Sequence, residues 1–182
     1  MRAAVVTSLA AVLALAGCKK EQAPEGPKSI AEAAKEAAGS LPKPVPGLYR
    51  STAEILSMEM PGMPAGMGEQ MKAMMGKRST PHDFCLTGEE AAKGYEERVK
   101  KLAGRPDCKF DHYSADGGKL DARMTCTAEG GITSVTTMQG MMTPEGSDMT
   151  LGMEQSGGKM PGGAMTMKMH VKTERVGDCP KA

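Results

Sequence analysis

The segment Met165-Thr166-Met167-Lys168-Met169-His170-Val171-Lys172 alternates apolar and polar residues without a break. In a strand, successive side chains point to opposite faces, so this period predicts one buried face and one wet face. The same period recurs upstream. Leu120, Ala122, Met124 and Cys126 alternate with Lys119, Asp121, Arg123 and Thr125, and before them Cys108, Phe110 and His112 alternate with Lys109, Asp111 and Tyr113. Asp116-Gly117-Gly118 turns the chain between the two. A three-residue turn sets Cys108 across from Cys126 and Phe110 across from Met124, which keeps both apolar sets on one face. Ile132 to Met142 reads as the next strand. The turn Thr143-Pro144-Glu145-Gly146 leads to Met149, Leu151 and Met153, opposed by Asp148, Thr150 and Glu154. Earlier in the chain, Leu48 to Met60 and Ser79 to Leu86 add two strands.

Helical periodicity is confined to a few places. Thr87 and Glu90 have capping-box spacing ahead of Gly88 to Ala103, whose Ala92, Tyr95, Val99 and Leu102 form one apolar stripe. Met67, Met71, Met74 and Met75 fall on one face of a shorter helix. The expected fold is therefore mainly β, of the α+β class. It is an antiparallel meander of about seven strands with one helix inserted after the second strand.

The N-terminus reads as a targeting segment. Arg2 precedes an apolar run from Ala3 to Ala16, too short for a comfortable membrane span. It ends in Leu15-Ala16-Gly17-Cys18, which resembles a bacterial lipobox. Residues 1–17 are then a lipoprotein signal peptide, and Cys18 carries the lipid. Lys19, in place of Asp, favours the outer membrane over the inner. Residues 18–46 read as the lipidated cysteine and a flexible tether. Lys, Glu, Gln, Pro and Gly dominate its start, a short Ala-rich helix follows Ser29, and Pro42, Pro44 and Pro46 stiffen its end. A single domain is expected over 47–182.

Four cysteines remain in that domain: Cys85, Cys108, Cys126 and Cys179. An even count in an exported domain implies two disulfides. Cys85–Cys108 with Cys126–Cys179 is the favoured scheme, because it closes two independent loops. Cys108–Cys126 with Cys85–Cys179 is the competitor that the hairpin register allows. The spacings fit no zinc template.

The chain has 18 Met but no Trp, two Phe and three Tyr. Flexible thioether side chains fill irregular gaps, so core filling is the leading reading of the methionines. Thioethers are also soft ligands suited to Cu(I), and any such site would lie on Met165, Met167 and Met169. Reversible oxidation is a third role. No cofactor is called for.

Basic and acidic residues number 23 and 22, and the near absence of rings removes the usual platforms for bases, so no nucleic-acid partner is expected. No hydrolase, zinc-protease or nucleotide-binding motif occurs. Asp111 and His112 are adjacent, which in a regular strand puts them on opposite faces. His82, His112 and His170 are scattered, and no catalytic residues are assigned. A hydrolase would need one of these histidines beside a Ser or Asp in a cleft.

Several short motifs agree in order. They are Pro44-Val45-Pro46-Gly47-Leu48-Tyr49-Arg50, Phe84-Cys85-Leu86-Thr87, Asp107-Cys108, Met124-Thr125-Cys126 and Val176-Gly177-Asp178-Cys179. Over residues 44–179 the chain resembles the bacterial exported family called domain of unknown function 3617. The resemblance implies a small secreted or lipid-anchored domain with paired cysteines, and it brings no catalytic or ligand residues. The functional expectation is a non-enzymatic binding or structural module, held at the periplasmic face of the envelope by the lipid on Cys18. Its partner would be a peptide, a lipid or another envelope protein. The rival readings are a Met-rich Cu(I)-binding or oxidant-scavenging protein and an envelope hydrolase.

Overall fold

The structure, a computed structural model, describes residues 26–62, 64, 66–76, 81–102, 107–158 and 163–181. The signal segment, Cys18 and Lys19 lie outside the described residues. The elements run α1 (Ile30–Ser40), β1 (Gly47–Glu59), α2 (Met67–Gly76), β2 (His82–Leu86), α3 (Gly88–Leu102), β3 (Cys108–Asp116), β4 (Lys119–Ala128), β5 (Ile132–Thr143), β6 (Gly146–Ser156) and β7 (Ala164–Gly177). All seven strands join one open antiparallel sheet in the order β2-β1-β7-β6-β5-β4-β3. The meander expected from the alternation runs from β3 to β7. The β1–β2 pair then attaches along the free side of β7, so β2 and β3 become the two edges.

The register confirms the face assignment. Phe110 lies opposite Met124 and Cys108 opposite Cys126. Along one cross-strand row, Tyr113, Ala122, Met138, Leu151, Met169 and Ile55 follow one another from β3 to β1. A bulge between Phe110 and His112 changes one detail. It turns Asp111 and His112 to the same polar face. Asp111 accepts a hydrogen bond from the Thr125 hydroxyl, and His112 stands 3.9 Å from Asp121.

The main core sits between this sheet and the helices. Phe110 and Tyr113 are its largest buried side chains, packed edge to face at 5.0 Å. Ala33, Ala34, Ala37 and Leu41 of α1 and its C-cap cover them, together with Val99 of α3. The stretch from Lys28 to Pro46, expected to be tether, is thus part of the packed body. The Ser29–Glu32 capping box starts α1, with the Ser29 amide donating to the Glu32 carboxylate at 2.8 Å. Glu36 accepts from the Ala115 amide at 2.9 Å and from the Lys28 ammonium. Lys28 also forms a two-way backbone bridge with Phe110 on edge strand β3. Farther on, the Val45 amide donates to the Pro144 carbonyl at 2.8 Å. An alanine face carries little hydrophobic signal in a sequence, but it lets a helix approach a sheet closely.

A smaller cluster of Tyr49, Leu86 and Ala91, with Phe84 against it, occupies the β1–β2 end. Tyr49 stacks on Phe84 at 5.7 Å. The helix α3 serves both clusters because it breaks at Gly94 (φ 61°, ψ −156°), a conformation open essentially only to glycine. The break shifts the expected stripe: Ala91 is buried and Ala92 exposed.

The disulfides are Cys85–Cys179 and Cys108–Cys126, with Cα separations of 5.5 and 4.0 Å. This is the competing scheme. The favoured Cys85–Cys108 pair is impossible because those residues lie on β2 and β3, at opposite edges of the sheet. Each observed bond instead joins residues on neighbouring strands or just past a strand end.

Candidate functional site

The apolar face of the sheet is longer than its helical cover. Over β3, β4, β5 and the start of β6 it lies beneath α1 and α3, and Met124 on β4 and Met149 on β6 are 7 % exposed. Met138, Met142 and Leu151 pack against that core. Past β6 the face continues onto β7 and β1 with Met153, Met165, Met167, Met169, Val171, Ile55 and Met58. All seven are half-buried, and none belongs to either core cluster. Core filling therefore accounts fully for the methionines under α1 and α3, while this group is only half enclosed, with α2 beside it on β1.

The register orders the group. Met167 on β7 lies opposite Met58 on β1 and opposite Met153 on β6. Directly opposed side chains have Cβ atoms about 4.5–5.5 Å apart, closer than same-face neighbours along a strand at about 7 Å. Met165 and Met169 flank Met167 on β7, as the alternation predicts. The alternation along β7 brings these three together, but nothing local joins Met58 and Met153 to them. The signal was weak because a bulge between Ile55 and Ser57 breaks the period of β1. The pairing of β1 with β7 is also a long-range event. Within the sheet the facing residues of this row and its neighbours are neutral: Thr136 beside Met153 in the same row, Ile55 and Leu151 beside Met169, and Gln155 beside Met165. From α2, Lys72 donates to the Leu56 carbonyl at 2.9 Å.

The opposite face of the sheet carries the charge. His170 Nε2 lies 2.7 Å from Asp148, so this histidine points away from the methionines. Lys172 pairs with Glu174, and that hydrogen bond raises the lysine's pKa above its ordinary value. Near β2, the Arg50 guanidinium meets Asp83 through two hydrogen bonds of 2.8 Å and holds its carboxyl below the usual value. A shallow hollow of about 530 Å³ lies on this side, bordered by Lys119, Asp121, Gln139, Met141 and Asp148. His82 stacks on Phe84 at edge strand β2, while His112 sits on the other edge strand, so the three histidines do not converge. Among the described residues no cluster of His, Cys, Asp or Glu has the geometry to hold a metal ion, and no helix is long and apolar enough to cross a membrane.

No curated protein and no solved structure shows significant similarity to the chain. A family model, however, matches residues 44–179, from just before β1 to the second cysteine of the long-range disulfide. The chain belongs to the family described as "Protein of unknown function (DUF3617)".

Proposed function

We propose that this protein is a lipid-anchored, non-enzymatic binding module of the bacterial envelope, whose binding surface is the half of the apolar sheet face that extends beyond α1 and α3. The observation that carries the reading is the run of half-buried apolar side chains on β6, β7 and β1, continuous with the core beneath α1 and α3. Methionine-lined surfaces adapt to the shape of what they bind. The extracytoplasmic location is supported by the lipobox ending in Cys18 and by two disulfides, which persist in oxidising compartments. Lys19 favours delivery to the outer membrane.

Two measurements test this proposal. Metabolic labelling with a radioactive fatty acid should mark the protein, and Cys18→Ser should abolish the label and release the chain from the membrane fraction. In native extracts, methyl resonances of Met153, Met165, Met167 and Met169 should respond to bound envelope material, with buried Met124 unaffected. A wild-type chain that takes up no label refutes the anchor. Unchanged methyl spectra in the presence of envelope extract refute the binding face.

A further inference from the structure

We propose that Met58, Met153 and Met167 form a three-coordinate thioether site for a soft monovalent cation, Cu(I), with Met165 and Met169 as flanking donors. The inference deepens the reading of this face as the binding surface and is independent of the lipid anchor. Three observations carry it. The three residues stand in one cross-strand row on adjacent strands β1, β7 and β6. They are half-buried and lie outside both core clusters, with α2 packed beside β1 where the Met58 carbonyl lies close to Gly68. Within the sheet, their row and the rows beside it supply neutral side chains on this face, while His170, Lys172 and Asp148 belong to the other, and the nearest cation from α2, Lys72, is engaged with the Leu56 carbonyl at 2.9 Å.

The donor chemistry selects the ion. Thioethers are uncharged and soft, so they suit Cu(I) and offer little to Zn²⁺, Ca²⁺ or Mg²⁺, which rely on imidazole, thiolate or oxygen donors. A low-dielectric, neutral surround further favours a single positive charge over a double one. Strands lie about 4.8 Å apart, so the outer two methionines of the row are separated by about twice that. A methionine has three rotatable side-chain bonds, enough for Met58 and Met153 to lean toward an ion above Met167. Thioethers do not titrate, so the affinity is independent of pH. A site built on histidine or thiolate would lose affinity as its ligands protonate.

The test uses the full-length protein in detergent, titrated anaerobically with Cu(I) against a chromogenic chelator, and with Ag(I) as a diamagnetic probe of the methionine methyl resonances. One equivalent is expected, with shifts at Met58, Met153 and Met167. Met167→Leu should lower affinity at least ~100-fold, since outer-shell changes alone cost ~10–100-fold. Leucine conserves volume and apolarity, so the fold is retained. Met124→Leu, in the core, should leave affinity unchanged, and affinity should be flat from pH 5 to 8. No retention of the metal, an equal loss in Met124→Leu, or a drop in affinity below pH 7 overturns the site. If the same methyls respond to envelope extract while Cu(I) fails to bind, the cation is refuted and the binding face stands. Silence toward both refutes the two together.

Discussion

Replacing Ala34 with leucine should destabilise the protein, while the same change at Ala38, one turn along the same helix, should not. Ala34 is 0 % exposed between the sheet and α3, whereas Ala38 faces solvent. Leucine is nearly as good a helix former as alanine, so the intrinsic cost is small and alike at both sites. What differs is space. Adding three carbons at a closed position forces neighbours off their rotamers, at about 1–3 kcal/mol. At the exposed position the change stays within about 0.5 kcal/mol. With an m-value of about 2 kcal/mol/M, a central cost of about 2 kcal/mol lowers the urea midpoint by about 1 M. The melting temperature should fall by roughly 4–8 °C for a chain of this size. Urea unfolding followed by far-ultraviolet circular dichroism, with both disulfides kept oxidised, measures the difference. Equal midpoints for the two variants would mean that α1 is a tether after all, and the packing argument built on it would fall.

Tyr113→Phe should stabilise the protein by about 1 kcal/mol, because the Tyr113 hydroxyl is buried without a hydrogen-bond partner among the described residues, and such a group costs about 1–3 kcal/mol. Burial, and secondarily the Glu36 charge, pushes this phenol from 10 to about 12. The folded state therefore keeps a proton that the unfolded chain releases, and stability falls as pH rises from 10 to 12. Urea midpoints across that window should fall more steeply in the wild type than in Tyr113→Phe, and parallel curves would contradict the burial. Removing the Cys85–Cys179 bond by a double Ala variant should cost about 4 kcal/mol, because it closes a loop of 94 residues. A loss under about 1 kcal/mol in chemical denaturation would rule out that bond as a main constraint. Gly94→Ala should cost about 1–3 kcal/mol from backbone strain alone, since no atom lies within 4 Å of the added carbon. A thermal melt unchanged from wild type would show that α3 can straighten.

The strands were legible wherever a strand has one covered face, because burial then writes itself as period 2. From Lys119 to Cys126 and from Met165 to Lys172 the alternation fixed both the element and its facing. At Asp111 and Leu56 it failed, since a bulge adds one residue that no local pattern announces. The missed role of α1 has a different cause. Ala33, Ala34 and Ala37 contribute little apolar area each, so their composition resembles a linker, yet their smallness is what admits the helix against Phe110 and Tyr113. The thioether row was half legible. Met165, Met167 and Met169 are local, but Met58 and Met153 join them only through long-range pairing.

The choice between the two cysteine pairings needed the topology, and the observed one ties both edge strands of this open sheet to the rest of the fold. An open antiparallel sheet has two edges that invite pairing with other chains. Here each edge is tied by sulfur. Cys108–Cys126 locks edge strand β3 to β4, and Cys85–Cys179 ties edge strand β2 to the chain just past β7. The backbone bridge from Lys28 to Phe110 adds a short cover outside β3. The broken helix α3 starts from β2 and leads into β3, which is why it must serve both ends of the sheet. Over β3, β4, β5 and the start of β6 the apolar face lies under α1 and α3, while its continuation onto β7 and β1 is half-buried, with α2 beside β1. That half-buried continuation carries Met58, Met153, Met165, Met167 and Met169, so long-range strand pairing gathers on one surface thioethers that are far apart in the sequence.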